Sequence, residues 1–154
     1  MKNTLLKQKI IGLCINGDYS IADLSKELNT SIPTTTKLVE ELIAEGSIEE
    51  MGKLDTNGGR RPSIYGLRAT AGYFVGTDVR RNSVSIAICD FKGHVVEYLD
   101  NLDFTVESSK ASFVNLCNLI IKHLSKCGID RHSVKAYGFN LSGRVNNETG
   151  YCFS

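Results

Sequence analysis

Up to Gly46 the apolar positions recur with helical spacing. Leu6, Ile10, Leu13 and Cys14 fall on one face of a first amphipathic helix, and Asn16-Gly17-Asp18 supplies its stop signal. Ser20 is a good N-cap for a second helix, with Asp23 as its capping-box partner and Ile21, Leu24 and Leu28 as its buried stripe. Asn29-Thr30 makes a turn. Ser31 caps a third helix, and Pro33 lies in its first turn, where a missing N–H has no helical partner to lose. Thr35, Leu38, Val39 and Leu42 are the predicted core face, and Gly46 ends the helix. A strand-like Ser47-Ile48-Glu49-Glu50, a basic Gly-rich stretch from Lys53 to Pro62 and a second strand from Ser63 to Leu67 then predict a β-hairpin.

The period changes again after Arg68. Tyr73-Phe74-Val75-Gly76 is a short apolar run, and Val84, Ile86 and Ile88 alternate with Ser85, Ala87 and Cys89 as in a strand. Lys92-Gly93 turns into a third strand through Val95 and Val96, and Leu102, Phe104 and Val106 alternate again. Phe113, Leu116, Cys117, Ile120 and Leu124 mark one face of a helix that Gly128 stops. The stretch from Val134 to Leu141 is another strand, with Tyr137, Phe139 and Leu141 on one side. The predicted order is β-β-β-α-β. There is no internal repeat and no low-complexity tract.

Composition narrows the picture. With 154 residues, 42% hydrophobic and 23% charged, the chain is neither wholly disordered nor collagen-like, and its length accommodates two small domains, here 1–68 and 69–154. A net charge of +1 excludes a basic field over the whole chain but not a local patch. Residues 1–68 carry nine basic and nine acidic groups, whereas Met51 to Arg68 sets Lys53, Arg60, Arg61 and Arg68 against Asp55 alone. The five cysteines and three histidines are scattered, with no C-x-x-C pair and no zinc-ligand spacing. No metal and no cofactor is therefore expected, and the thiols read as reduced groups in a cytoplasmic protein. No apolar run reaches membrane-spanning length, and lysines interrupt the N-terminal apolar positions where a signal peptide would have its core.

Two short helices joined by a turn, followed by a basic hairpin, make a winged helix-turn-helix, which reads DNA by laying its third helix in the major groove. The start of that helix offers Ser31, Thr34, Thr35, Thr36 and Lys37, with Thr35 turned partly inward. Threonine hydroxyls meet phosphates or base edges, and the threonine methyl packs on a thymine methyl. Glu40, Glu41 and Glu45 collect at the other end of the helix. Arg60 and Arg61 follow Gly58-Gly59 on a loop that reaches phosphates or the minor groove. The alternative is a protein-interaction module built on the same helices.

These residues carry a family resemblance. The stretch from Ser31 to Gly46, followed by Gly59-Arg60-Arg61-Pro62, resembles the winged helix of the repressor branch of the ROK family of sugar-responsive repressors and sugar kinases. Gly72 to Asp78, Ala87 to Asp90, Tyr137 to Val145 and Glu148-Thr149-Gly150 resemble the start of that family's actin-like domain. The resemblance implies an α/β fold, α+β overall, with a winged helix-turn-helix followed by part of an actin-like (ribonuclease H-like) lobe. It also implies a homodimer on double-stranded operator DNA, with a sugar or sugar-phosphate effector.

The kinase branch places a Gly-Gly-Thr turn at the ATP phosphates. Arg80, Arg81 and Asn82 stand there in this sequence, which argues against a sugar kinase and for a chain with no catalytic residue. Asp78 reads as a strand-end residue satisfying turn amides. Asn140 and Gly143 lie where the family has a loop near its sugar pocket, with Ser142 in place of the usual proline. The β-β-β-α-β portion lacks the remaining strands of such a lobe. The expectation is a lobe cut short, with an unpaired sheet edge or an uncovered face.

Overall fold

The computed structural model describes residues 2–54, 61–107, 109–146, 148–149 and 152–153. It is a mixed α+β fold in two compact units, Met1–Ala71 and Gly72–Ser154.

The first unit runs through α1 (Lys2–Cys14), β1 (Tyr19–Ser20), α2 (Ile21–Glu27), α3 (Ile32–Ala44), β2 (Ile48–Lys53) and β3 (Ser63–Leu67). Local chemistry sets the helix ends. The Asp23 N–H donates to Ser20 Oγ at 3.2 Å and the Ser20 N–H donates to the Asp23 carboxylate at 3.3 Å, so two amides without helical partners satisfy each other's side chains. Ser31 Oγ accepts the Thr34 N–H, with Pro33 in the first turn of α3. Gly46 leaves the helix at φ +74°, a conformation that strains any side chain with a Cβ.

Ile10, Leu24, Leu38, Val39, Leu42 and Ile48 are each at most 2% exposed and form the centre of this unit. The buried row of α1 is narrower than its periodicity suggests: Ile10 and Cys14 are buried, Leu6 and Leu13 only half-buried. β2 and β3 pair antiparallel, with a bulge between Glu50 and Gly52. β1 joins the other edge of β3, pairing Tyr19 with Tyr65 and Ser20 with Ile64, to give the order β1-β3-β2. This short strand is absent from the sequence reading, because only pairing to a distant partner makes two residues a strand.

In the second unit β4 (Tyr73–Val79), β5 (Ser83–Asp90) and β6 (Val95–Asp103) are antiparallel neighbours. Then come α4 (Lys110–Lys126) and β7 (Val134–Leu141), which pairs parallel to β4 and completes the order β6-β5-β4-β7. β8 (Arg144–Val145) and β9 (Cys152–Phe153) form a separate small pair. α4 covers one face of the sheet: Leu116, Ile120 and Leu124 meet Val75, Val79, Val84, Ile86 and Ile88.

Two expectations need correction here, and a third holds. Phe113, placed on the buried face of α4, is 59% exposed, and Ser112 and His123 are buried in that row instead. β6 ends at Asp103, so Phe104 and Val106 lie beyond the strand. Tyr137, Phe139 and Leu141 share one face, as expected, with their register partners Val75, Thr77 and Val79; on this outer strand they are between 42% and 52% exposed, since the core under α4 is built on β4 and β5.

Among the described residues no helix is long and apolar enough to cross a membrane, and no cluster of three or more His, Cys, Asp or Glu side chains is arranged to hold a metal ion.

Candidate nucleic-acid interface

α3 presents its two ends differently. On its C-terminal half, Lys7 of α1 places Nζ 2.7 Å from Glu41 and 2.6 Å from Glu45. Hydrogen bonds to these carboxylates raise the Lys7 pKa above its ordinary value, and the bond from Lys7 holds Glu41 below the usual carboxylate range. Part of the charge at the acidic end of the helix is thus offset within the unit.

At the N-terminal end the hydroxyls are engaged locally. Ser31 and Thr34 share a hydrogen bond of 2.8 Å, and Thr36 Oγ1 donates to the Ile32 carbonyl at 2.9 Å. Thr35, expected among the DNA-contacting residues, is corrected by its environment. Its side chain is completely buried, shares a 2.8 Å hydrogen bond with Thr30 and donates to the Ser31 carbonyl at 3.2 Å. With no exposed surface it cannot touch a ligand, and its place is to tie the α2–α3 turn to the helix. Ile32, Pro33, Thr34 and Lys37 stay exposed, and Thr36 is half-exposed.

An open groove of about 840 Å³ lies between this helix start and the hairpin. Ile21, Ala22, Ile32 and Thr36 line one wall, and Lys53, Arg61, Ser63 and Tyr65 the other. None of the described residues lining it is acidic. The structure thus brings Thr36 and Arg61 to one groove, while Ser31, Thr34 and Lys37 lie on the adjoining surface of α3. Arg60 falls outside the described residues. Ile32 and Tyr65 were not legible as site residues: one reads as a helix start, the other as an ordinary strand position. Lys53 was visible only as part of the hairpin's net charge.

In the second unit Asp78 does not satisfy turn amides as expected. Arg80 Nε donates to Asp78 Oδ2 at 2.9 Å, and Asn140 Nδ2 donates to Asp78 Oδ1 at 2.7 Å. Arg80 also reaches Asn101 at 3.4 Å. Asp78, Asn140, Ser85 and Tyr98 border a shallow concavity of about 460 Å³ on the sheet face opposite α4, and Gly143 is not among its lining residues. On the neighbouring strand the Asp100 carboxyl is held below the usual range, first by a hydrogen bond from Ser85 and then by one from Tyr98.

The fold is shared with a ROK family transcriptional regulator, a homologue of the E. coli Mlc protein, at a TM-score of 0.58 and 24% identity over 87% of this chain and 34% of that one. In fold the chain resembles this ROK family regulator, and in sequence it resembles curated xylose repressors. The xylose repressor of Caldicellulosiruptor bescii is 27% identical over 96% of this chain and 38% of its own length. The putative xylose repressor of Caldicellulosiruptor sp. strain Rt8B.4 is 31% identical over 85% and 33%, and the xylose repressor of Bacillus subtilis is 32% identical over 53% and 21%. The chain therefore spans no more than 38% of the length of these curated relatives. No family model matches it.

Proposed function

We propose that this chain is the operator-binding part of a sugar-responsive transcriptional repressor. Residues 1–68 act as a winged helix-turn-helix, and residues 69–154 form the beginning of an actin-like lobe. The observation that carries the reading is the groove in which the start of α3 faces Lys53 and Arg61, with no acid among its described lining residues. In this reading α3 enters the major groove with Ser31, Thr34, Thr36 and Lys37 toward the DNA, while the hairpin cations neutralise phosphates. Two copies bind the two arms of a pseudo-palindromic site, as a two-fold symmetric dimer requires.

The second unit supports a regulatory and not a kinase role. Arg80 and Arg81 stand at the turn where the kinase branch has glycines, and the Arg80 guanidinium lies on Asp78. A backbone cradle for phosphates needs close approach that side chains at those positions obstruct. Effector binding belongs to the lobe that this unit begins, with Asn140 and Gly143 as candidate contributors to its sugar site. The names of the relatives make xylose the first sugar to test.

Selection of duplexes from a randomised library with the chain tests the proposal. Enrichment of an inverted repeat, and release of that duplex by xylose or another sugar of a panel, is the expected result. Absence of any enriched duplex would overturn the reading.

A further inference from the structure

We infer that Lys37 and Glu40 of α3 together read a G·C base pair, with Lys37 donating to guanine and Glu40 accepting from the cytosine amino group. The inference rests on the DNA-binding reading above and names the base pair that such a surface selects.

α3 buries Thr35, Leu38, Val39 and Leu42 on one side. Pro33, Thr36, Lys37 and Glu40 follow one another at intervals of three, one and three residues and share the opposite, outward stripe. This is a spacing at which a recognition helix delivers side chains to base edges. Pro33, Lys37 and Glu40 are exposed, and Thr36 is half-exposed. Proline offers no polar side-chain atom, and Thr36 donates its proton to the Ile32 carbonyl. Lys37 and Glu40 are the charged groups of the stripe.

The acids of α3 are of two kinds. Glu41 and Glu45 share Lys7 of α1. Glu40 belongs to the outward stripe, and among the described residues nothing forms a hydrogen bond or an ion pair with it. The charge of Lys37 acts on Glu41, but no ion pair holds its ammonium group either. A carboxylate carried between phosphate walls is repelled unless it meets a donor. In the major groove the donors are the amino groups of cytosine and adenine, and adenine sets an N7 acceptor beside its own. A carboxylate, which only accepts, therefore suits cytosine. An ammonium, which only donates, suits the N7 and O6 of guanine. A G·C pair presents those acceptors and the cytosine amino group side by side, and a cation and a carboxylate one helical turn apart match that order.

Duplexes enriched by the chain from a randomised library are remade with each G·C pair of an arm changed in turn to A·T. Affinities are measured by fluorescence anisotropy at one salt concentration. At one pair in each arm the change weakens the parent by about tenfold. Glu40→Ala binds the original duplex about tenfold more weakly than the parent does and no longer distinguishes the two duplexes. It binds unselected DNA at least as tightly as the parent, because a negative charge has been removed. Lys37→Ala loses the preference at the same pair. Circular dichroism confirms that each variant is folded. A Glu40→Ala variant that binds selected and unselected duplexes more tightly alike marks a solvated acid and overturns the inference. Equal weakening of all duplexes by Lys37→Ala, the signature of a phosphate contact, overturns it too, as does an enriched site with no G·C pair in its arms. Each of these outcomes leaves DNA binding intact. Failure of the parent to bind either selected or unselected DNA overturns the DNA-binding reading and the inference with it.

Discussion

Thr35→Val separates a structural threonine from a DNA-contacting one. Thr35 is fully buried and its hydroxyl joins Thr30 Oγ1 at 2.8 Å and the Ser31 carbonyl at 3.2 Å. Valine has nearly the same shape, so the substitution removes two hydrogen bonds without opening a cavity. At about 0.5–1.5 kcal/mol net for each bond, the loss is about 1–3 kcal/mol. Two details favour the lower half of that range. The Ser31 carbonyl still accepts the Thr35 N–H at 3.0 Å, and Thr30 is only half-buried, so water replaces its lost partner. For a unit of this size each kcal/mol lowers the Tm by about 4–8 °C. Calorimetry of the parent, Thr35→Val and Thr35→Ser measures the shift, with the serine variant keeping the hydroxyl and losing only a methyl. A valine variant as stable as the parent, but with weakened DNA binding, would refute the argument and return Thr35 to the contact surface.

Other consequences are equally direct. Ile120→Ala opens a cavity between α4 and the sheet, where Ile120 is 2% exposed, and costs about 2–5 kcal/mol in urea denaturation; Phe113→Ala on the exposed side of the same helix changes stability by about 0.5 kcal/mol at most. Burial pushes the Cys14 thiol up to about 11, so peptide mapping after alkylation of the native protein near neutral pH should find Cys89 and Cys117 labelled before Cys14. Because that pKa is raised, the stability it contributes is complete below the ordinary value of 9.0 and declines as the pH rises from there through about 11, which alkaline titration of the urea midpoint detects. Glu41 has the opposite sign: its lowered pKa stabilises the fold above the ordinary 4.5 and that contribution disappears as the pH falls through the folded value, so Glu41→Gln flattens the acid limb of the stability profile.

What the sequence revealed follows the range of the forces involved. Capping is local, and Ser20 with Asp23, and Ser31 with Pro33, act as their spacing indicates. Burial along α3 was also legible, since Thr35, Leu38, Val39 and Leu42 form a clear helical stripe. Periodicity on α4 names a face but not which flank the sheet covers, so it marks Phe113 as core where Ser112 and His123 are buried. β1 depends on Tyr65 and Ile64, far along the chain, and no local pattern encodes that pairing. The local hydrogen bonds of the α3 hydroxyls are not legible, because sequence does not show where a rotamer points. Asp78 looked like a turn residue because its partner Asn140 comes from a distant strand.

The central claim is that α3 and the hairpin form one DNA-binding surface, and the salt dependence of duplex binding tests it most directly. The association constant is measured between about 50 mM and about 200 mM salt for the chain and for the double variant Lys53→Ala, Arg61→Ala. If both side chains neutralise phosphates, affinity falls steeply with salt in the parent, and the slope of log K against log salt is shallower by about 1.8 in the variant. An unchanged slope, or binding that ignores salt, would contradict the account.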